Sequence, residues 1–373
     1  MTSEPRAPAE RVFTLFASCI PVRGARRSVI CDLQRQSTQP IPNGLYEILT
    51  MHAGKAVAEI KNVYDHQYDE EIDEYFEFLL GHEFGFWCAD PERFPALDLT
   101  WEAPERITNA ILDVDRHSDH DYEKIFSELD DLGCKALELR CFEPVPLPEL
   151  RRILSAARHG RLRSIDLLAA YAPELTQEAL ESLASEYRRI SNIAVHSSPE
   201  DRALPPYRTG VTAAYRREVV DSPRCCGQIH PGYFVTNIET FAEAQKHNTC
   251  LNRKLAIDAR GEIKNCPSMA RSFGNARQVP LHSALAHRDF AALWAINKDQ
   301  IAICKDCEFR YVCTDCRAYL ADAADLYSKP SKCTYDPYTA EWQTPAERQT
   351  QAAAPAPGDA ALPLPAGILK GVS

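Results

Sequence analysis

Along residues 95–200 the apolar positions switch between two periods at a fixed interval. Apolar strand segments begin at Leu137, Ile165 and Ile193, 28 residues apart each time. Before each lies an apolar stripe at helical spacing. The first is Tyr122, Ile125, Phe126, Leu129 and Leu132. The second includes Leu150, Ile153 and Leu154; the third is Leu180, Leu183, Tyr187 and Ile190. Strand-period runs alternating with helix-period runs predict βα units and a parallel sheet. Residues 97–99 and 107–114 are read as earlier strands. About four or five units fit, so the α/β fold expected is a partial βα barrel rather than a closed eight-fold one.

The N-terminal pattern is different. Residues 12–16 and 28–33 are short apolar runs with turn chemistry at 21–24 between them, which predicts a hairpin. Residues 41–44 (Ile-Pro-Asn-Gly) form a turn or the start of a helix carrying Leu45, Ile48 and Leu49. Ile72, Tyr75, Phe76 and Leu79 predict a helix over 70–80, stopped by Gly81, with an acidic first turn favoured by the helix dipole. A strand over 84–88 closes a small α+β domain. The expected layout is a flexible N-terminus (1–11), this α+β domain (12–88), the partial barrel (89–220), a cysteine-rich module (221–343) and a disordered tail rich in Ala and Pro (344–373).

Composition narrows the class. The chain has 373 residues, 45% hydrophobic and 25% charged, an ordinary soluble mixture. It has no long uninterrupted apolar run and no basic-then-apolar leader, so a cytoplasmic protein that neither spans nor binds membranes is expected. A formal net charge of −11 disfavours nucleic acid and anionic lipid as partners. Phosphate-loop, His-Glu-x2-His and Gly-x-Ser-x-Gly motifs are absent. Asp113, Asp115, His117, Asp119, His120 and Asp121 form a polar cluster that lacks the calcium-loop spacing and reads as a solvated loop.

Fourteen cysteines change the picture. In a reducing compartment, clustered cysteines point to metal rather than to disulfides. Cys19, Cys31, Cys88, Cys134 and Cys141 are scattered in or beside apolar runs and read as small buried hydrophobes. The remainder fall between Cys225 and Cys333. Cys304-x2-Cys307-x5-Cys313-x2-Cys316 places four thiols within thirteen residues, and Cys333 follows. Upstream, residues 255–264 predict a hairpin turning near Gly261, which brings Cys250 and Cys266 together at its base. Converging thiolates suit an iron–sulfur cluster, with zinc as the rival.

This order of cysteines, with Gly261 between Cys250 and Cys266, resembles the SPASM domain. That domain is the auxiliary-cluster module of radical S-adenosylmethionine enzymes that mature peptides. The segments NTCLNRK (248–254), IKNCPSM (263–269) and CKDCEFRYVCTDCRAYL (304–320) resemble the SPASM-domain peptide maturases of grasp-with-spasm systems. One departure is that two residues, not three, precede Cys316. The resemblance spans residues 12–343. It implies two [4Fe–4S] clusters, one on Cys304, Cys307, Cys313 and Cys333, the other on Cys250, Cys266 and Cys316. Cys226 is the candidate fourth ligand, with Cys225, His247 or an open iron as alternatives.

The same resemblance raises a requirement the sequence does not meet. No Cys-x3-Cys-x2-Cys occurs anywhere, and only Glu143-Pro144 remains of the segment that would hold the amino group of S-adenosylmethionine. Cleavage of that cofactor is therefore not expected; Glu143 is as readily a helix cap. The N-terminal domain resembles a winged-helix-like precursor-peptide recognition element, which binds a leader by adding it as a strand to a sheet edge. The expected function is maturation of a ribosomal peptide with a partner ATP-grasp ligase. The alternative is a non-enzymatic scaffold or binding protein stabilised by iron–sulfur clusters or zinc.

Overall fold

The 28-residue repeat becomes the centre of the largest sheet. The computed structural model describes residues 12–343; the tails expected to be flexible (1–11) and disordered (344–373) lie outside the described residues. Two elements of the N-terminal part open the chain, β1 (Val12–Leu15) and β2 (Cys19–Val22). They are followed by β3 (Ser28–Asp32), β4 (Ser37–Ile41), α1 (Asn43–Met51), α2 (Val57–Val63), α3 (Asp69–Gly81) and β5 (Gly85–Cys88). Then come β6 (Asn109–Val114), α4 (Tyr122–Asp131), β7 (Ala136–Cys141), α5 (Leu147–Ala156), β8 (Ser164–Ala170), α6 (Gln177–Glu186) and β9 (Ile190–His196). β10 (Arg202–Ala203), β11 (Thr212–Tyr215), α7 (Ile238–Ala244), β12 (Lys254–Ile257) and β13 (Ile263–Lys264) complete the elements that build the main sheet and its surroundings.

The chain has an α/β fold with a large mixed sheet and flanking α+β regions. The sheet has eight strands in the order β10-β11-β9-β8-β7-β6-β12-β13. β6 to β9 are parallel, and β11 and β12 extend them in the same sense. β10 and β13 are antiparallel edges. Among the described residues the sheet is open, since its two edge strands pair only inward. The hairpin expected over 255–264 forms, with Gly261 in its turn at φ +84°, a conformation glycine adopts without a Cβ penalty. It does not stand apart: β12 pairs with β6 and carries the chain back into the main sheet.

Local chemistry sets the helices that cover this sheet. Asp121 caps α4 by accepting from Lys124 N–H at 3.1 Å, and Thr176 caps α6 by accepting from Ala179 N–H at 3.3 Å. Gly133, at φ +83°, follows α4 and turns the chain toward β7. The three helical stripes bury against one sheet face formed by Leu112, Leu137, Leu139, Ile165, Leu167, Ile193 and Val195. By period-two alternation, Asp113, Glu138, Arg140, Asp166, Asn192 and Lys254 share the other face.

The N-terminal region differs from the hairpin read in the sequence. Residues 12–16 do not pair with 28–33. β1 pairs with β5, some seventy residues away, while β2 and β4 flank β3 in a separate three-stranded sheet. Pro21 and Pro40 sit in those two flanking strands, where a missing N–H is tolerated at an edge. Gly85 lets β5 cross β1 closely: a Cβ there would lie 2.3 Å from Thr14 O and 2.7 Å from the Phe13 ring. Ile30, Leu45, Ile48, Ile60, Ile72, Phe76 and Leu79 form this region's core. Residues 97–99, read as a strand, are an irregular segment instead; Leu97 and Leu99 pack beside Val29 and Phe309. Among the described residues no helix is long and apolar enough to cross a membrane.

Candidate functional site

Between β1, β2, the end of α1 and the segment 91–99 runs a groove of about 400 Å³. Its wall is apolar: Phe13, Leu15, Ile20, Leu49, Phe76 and Phe94 are among its lining residues. Phe16 and Phe94, also in the lining, remain 42% and 50% exposed, an arrangement that leaves large apolar area in water at its mouth. Both rings rest on Phe86, at 5.4 and 4.9 Å between centroids, so they are held rather than loose. Among the described residues β1 has one strand neighbour, β5. On its other side the sole bridge among the described residues is Val12 with Ala56. Among the described residues the buried Thr14 hydroxyl has no hydrogen-bond partner. At the same end Lys55 Nζ donates to His52 Nδ1 at 3.2 Å, and His52 Nε2 meets Tyr64 OH at 3.2 Å. Burial and the adjacent ammonium push the His52 imidazole below its ordinary value. No local sequence pattern marks this groove, because its walls come from separate segments.

The second face of the main sheet is polar at its centre. Arg140 grips Asp113 with two bonds, Nε to Oδ1 at 2.7 Å and Nη2 to Oδ2 at 2.9 Å. Both are buried. Burial pushes the Asp113 carboxyl up to about 6 against the pull of Arg140. The polar cluster read around Asp113 is divided by the fold. His120 is buried and bonds Asp113 O at 2.9 Å, whereas Asp115 accepts from His117 N–H and Ser118 in a local turn. Glu143 accepts from Arg116 N–H at 3.1 Å and does not cap α5, whose N-cap is Pro146.

Beside that pair, Glu138, Asp166 and Asn192 stand in register on β7, β8 and β9. Asn192 Nδ2 donates to Asp166 Oδ1 at 3.3 Å, and Thr212 reaches Asn192 in turn. Burial, with Glu138 nearby, pushes Asp166 up to about 7. A carboxyl raised this way binds a proton in the folded chain that the unfolded chain has released. Its effect on stability is therefore absent at acid pH and unfavourable as pH rises through 7. The variant Asp166→Asn should lose about 2 kcal/mol less than the native chain between pH 5 and pH 8 in urea melts. Equal losses would place the proton elsewhere.

The predicted cysteines fall into two neighbourhoods. Cys304, Cys307, Cys313 and Cys333 line a small cavity with Lys298, Phe309 and Tyr335. It measures about 20 Å³, room for about one water molecule. Cys307, Cys313 and Cys333 pack in one apolar cluster and Cys304 in another. Burial pushes the Cys313 thiol up to about 12, and Cys313 Sγ donates to Thr314 O at 3.2 Å. Cys226, Cys250, Cys266 and Cys316 lie near enough to influence one another's charge. Burial, then Cys226 and Cys250, raises Cys266 to about 12; burial, then Cys250, raises Cys316 to about 11. Lys254 Nζ approaches Cys250 Sγ at 3.8 Å. Cys225 turns away and donates to Val219 O at 3.7 Å, and His247 packs on Trp101.

These arrangements correct the metal expectation. Among the described residues, no group of three or more His, Cys, Asp or Glu side chains is placed to hold a metal ion. Two [4Fe–4S] clusters on these eight cysteines, and zinc in their stead, are overturned. So are the iron–sulfur domain, peptide maturation through two clusters, and a scaffold stabilised by either metal. The physical reason is the placement of the donors: a site needs at least three ligand side chains converging on one point. Cys304 packs in a different apolar cluster from Cys307, Cys313 and Cys333, and among the described residues no three donors converge. The Cys-x3-Cys-x2-Cys order is absent from the sequence.

Polar contacts stitch the cysteine-rich region together. Asn248 Oδ1 accepts from the N–H groups of Cys250 and Leu251, and its amide donates to Asp315 at 2.8 Å. Asp315 also pairs with Arg317 at 2.8 Å and faces Lys298 at 3.7 Å. The loop between β2 and β3 docks on the Cys304–Asp306 turn. Ala25 N–H donates to Asp306 O at 2.8 Å, and Arg27 meets the buried Glu308 at 2.8 Å beside Tyr335. One strand, β2, thus borders the groove and leads directly into this contact.

No family model matches this chain, and no curated protein does. Among solved structures, it is similar to the crystal structure of Streptococcus suis SuiB bound to S-adenosylmethionine. The identity is 9% and the TM-score 0.37, over 86% of this chain and 99% of that one. At that level the likeness assigns this chain no fold family and no activity.

Proposed function

We propose that this chain is a peptide-binding protein that takes an extended apolar segment into the groove beside β1. The observation that carries the reading is the conjunction of a strand edge that, among the described residues, pairs only at Val12 and an apolar groove about 400 Å³ in volume along it. An edge supplies main-chain hydrogen bonds, and pockets beside it select alternate side chains. The three-stranded sheet is a poorer host, since Pro21 and Pro40 interrupt its two outer strands. A precursor leader, the partner implied by the resemblance of residues 12–88, is an occupant of this chemistry.

The test is selection from a phage-displayed library of random decapeptides on the immobilised full-length protein. Selected peptides are then measured by fluorescence anisotropy. The reading expects saturable binding by sequences with apolar residues at alternate positions. Enrichment of helical-period sequences, or no enrichment, would overturn it.

A further inference from the structure

The geometry points to Lys55 as an anion subsite at one end of the groove, which selects peptides carrying an acidic side chain beside their apolar positions. The inference rests on the peptide-binding reading and adds to it the charge of the ligand. Among the described residues, Lys55 is the one with a formal positive charge in the groove lining. Its neighbour in that lining, His52, is kept toward its neutral form by burial and by Lys55 itself.

The ammonium is oriented but not neutralised. It donates one hydrogen bond to His52 Nδ1 at 3.2 Å, and Tyr64 OH holds the far side of the imidazole. Two of its three N–H donors are left over from that bond. Among the described residues no carboxylate pairs with Lys55. Other cations of this region are engaged: Arg23 with Glu47, Arg35 with Asp32, and Lys61 with Asp73.

Position gives the subsite its register. Lys55 immediately precedes Ala56, the residue bridged to Val12 at the end of β1. A strand added along Phe13 to Leu15 would run out toward that bridge and meet the ammonium there. An acidic side chain at that end forms a charge-assisted hydrogen bond, while the apolar positions fill the groove behind it. An acidic ligand is otherwise a poor match for a chain with net charge −11, so this one cation decides orientation.

The experiment is a double-variant cycle on the full-length protein, with the tightest selected decapeptide in C-terminally amidated form. Each Asp or Glu of the peptide is changed to its amide in turn, against the native chain and against Lys55→Met. Expected is one acidic position whose amide costs roughly three- to tenfold on the native chain and nothing on the variant. The cost should shrink in high salt. Lys55→Arg should keep most of the preference. The inference is overturned, with the groove reading intact, by peptides that bind well but show no acidic position coupled to Lys55. It is overturned equally if only the free C-terminal carboxylate matters. Loss of all binding in the native chain would instead remove the peptide-binding reading on which it rests.

Discussion

Replacing Arg140 by methionine is expected to lower the unfolding free energy by about 3–5 kcal/mol, since it removes one partner of a buried ion pair. Asp113 is wholly buried, and the two bonds from Arg140 are what compensate its charge. With the guanidinium gone, the carboxyl must either stay ionised in an apolar interior or bind a proton. It already titrates at about 6, above its ordinary value, through burial. Without Arg140 that value moves higher still. The sign follows: the folded variant binds a proton that the unfolded chain lacks, so its deficit widens as pH rises from 5 to 8. Urea melts at both pH values measure this. The double variant Asp113→Leu with Arg140→Met should recover most of the loss, because no charge is left unpaired. A deficit below about 1 kcal/mol, or one that does not grow with pH, would show that water reaches the pair.

The largest expected effect on binding comes from the two exposed rings at the groove mouth. Truncating Phe16 and Phe94 together to alanine should weaken a selected peptide about thirtyfold or more, at roughly 1 kcal/mol per ring. Stability should change little by comparison, because both side chains are about half exposed already. That separation makes the variant useful: anisotropy should report lost affinity while the urea midpoint stays close to the native one. Unchanged affinity would mean that the peptide lies elsewhere. A large fall in the midpoint would mean that the rings serve the β1–β5 packing around Phe86 instead.

The parts legible in the sequence are those whose cause is local. The stripe on α4 and the run in β7 announce themselves by period, and each landed where the spacing placed it. The β12–β13 hairpin was marked by Gly261, a residue its turn requires. The remainder depends on pairing over distance. Nothing near residue 12 says that its partner is Cys88. Pro21 and Pro40 disguise two strands, because only an edge position makes a proline acceptable in a sheet. α2 is too short for its apolar positions to show a stripe. Cysteine spacing tells which thiols share a loop but not whether their sulfurs converge on one point. Tertiary placement settles that, and among the described residues it corrected the metal reading. Lys55 carried no signal, since pairing of charges over distance is not written in local sequence.

Hydrogen–deuterium exchange on the full-length protein, with and without a saturating selected peptide, tests the central claim most directly. Strand addition protects amides along the edge it covers. Slower exchange should be concentrated in residues 12–17 and 52–56, with the eight-stranded sheet unchanged. Protection confined to that sheet or to the cysteine-rich region, with residues 12–17 unaffected, would contradict it.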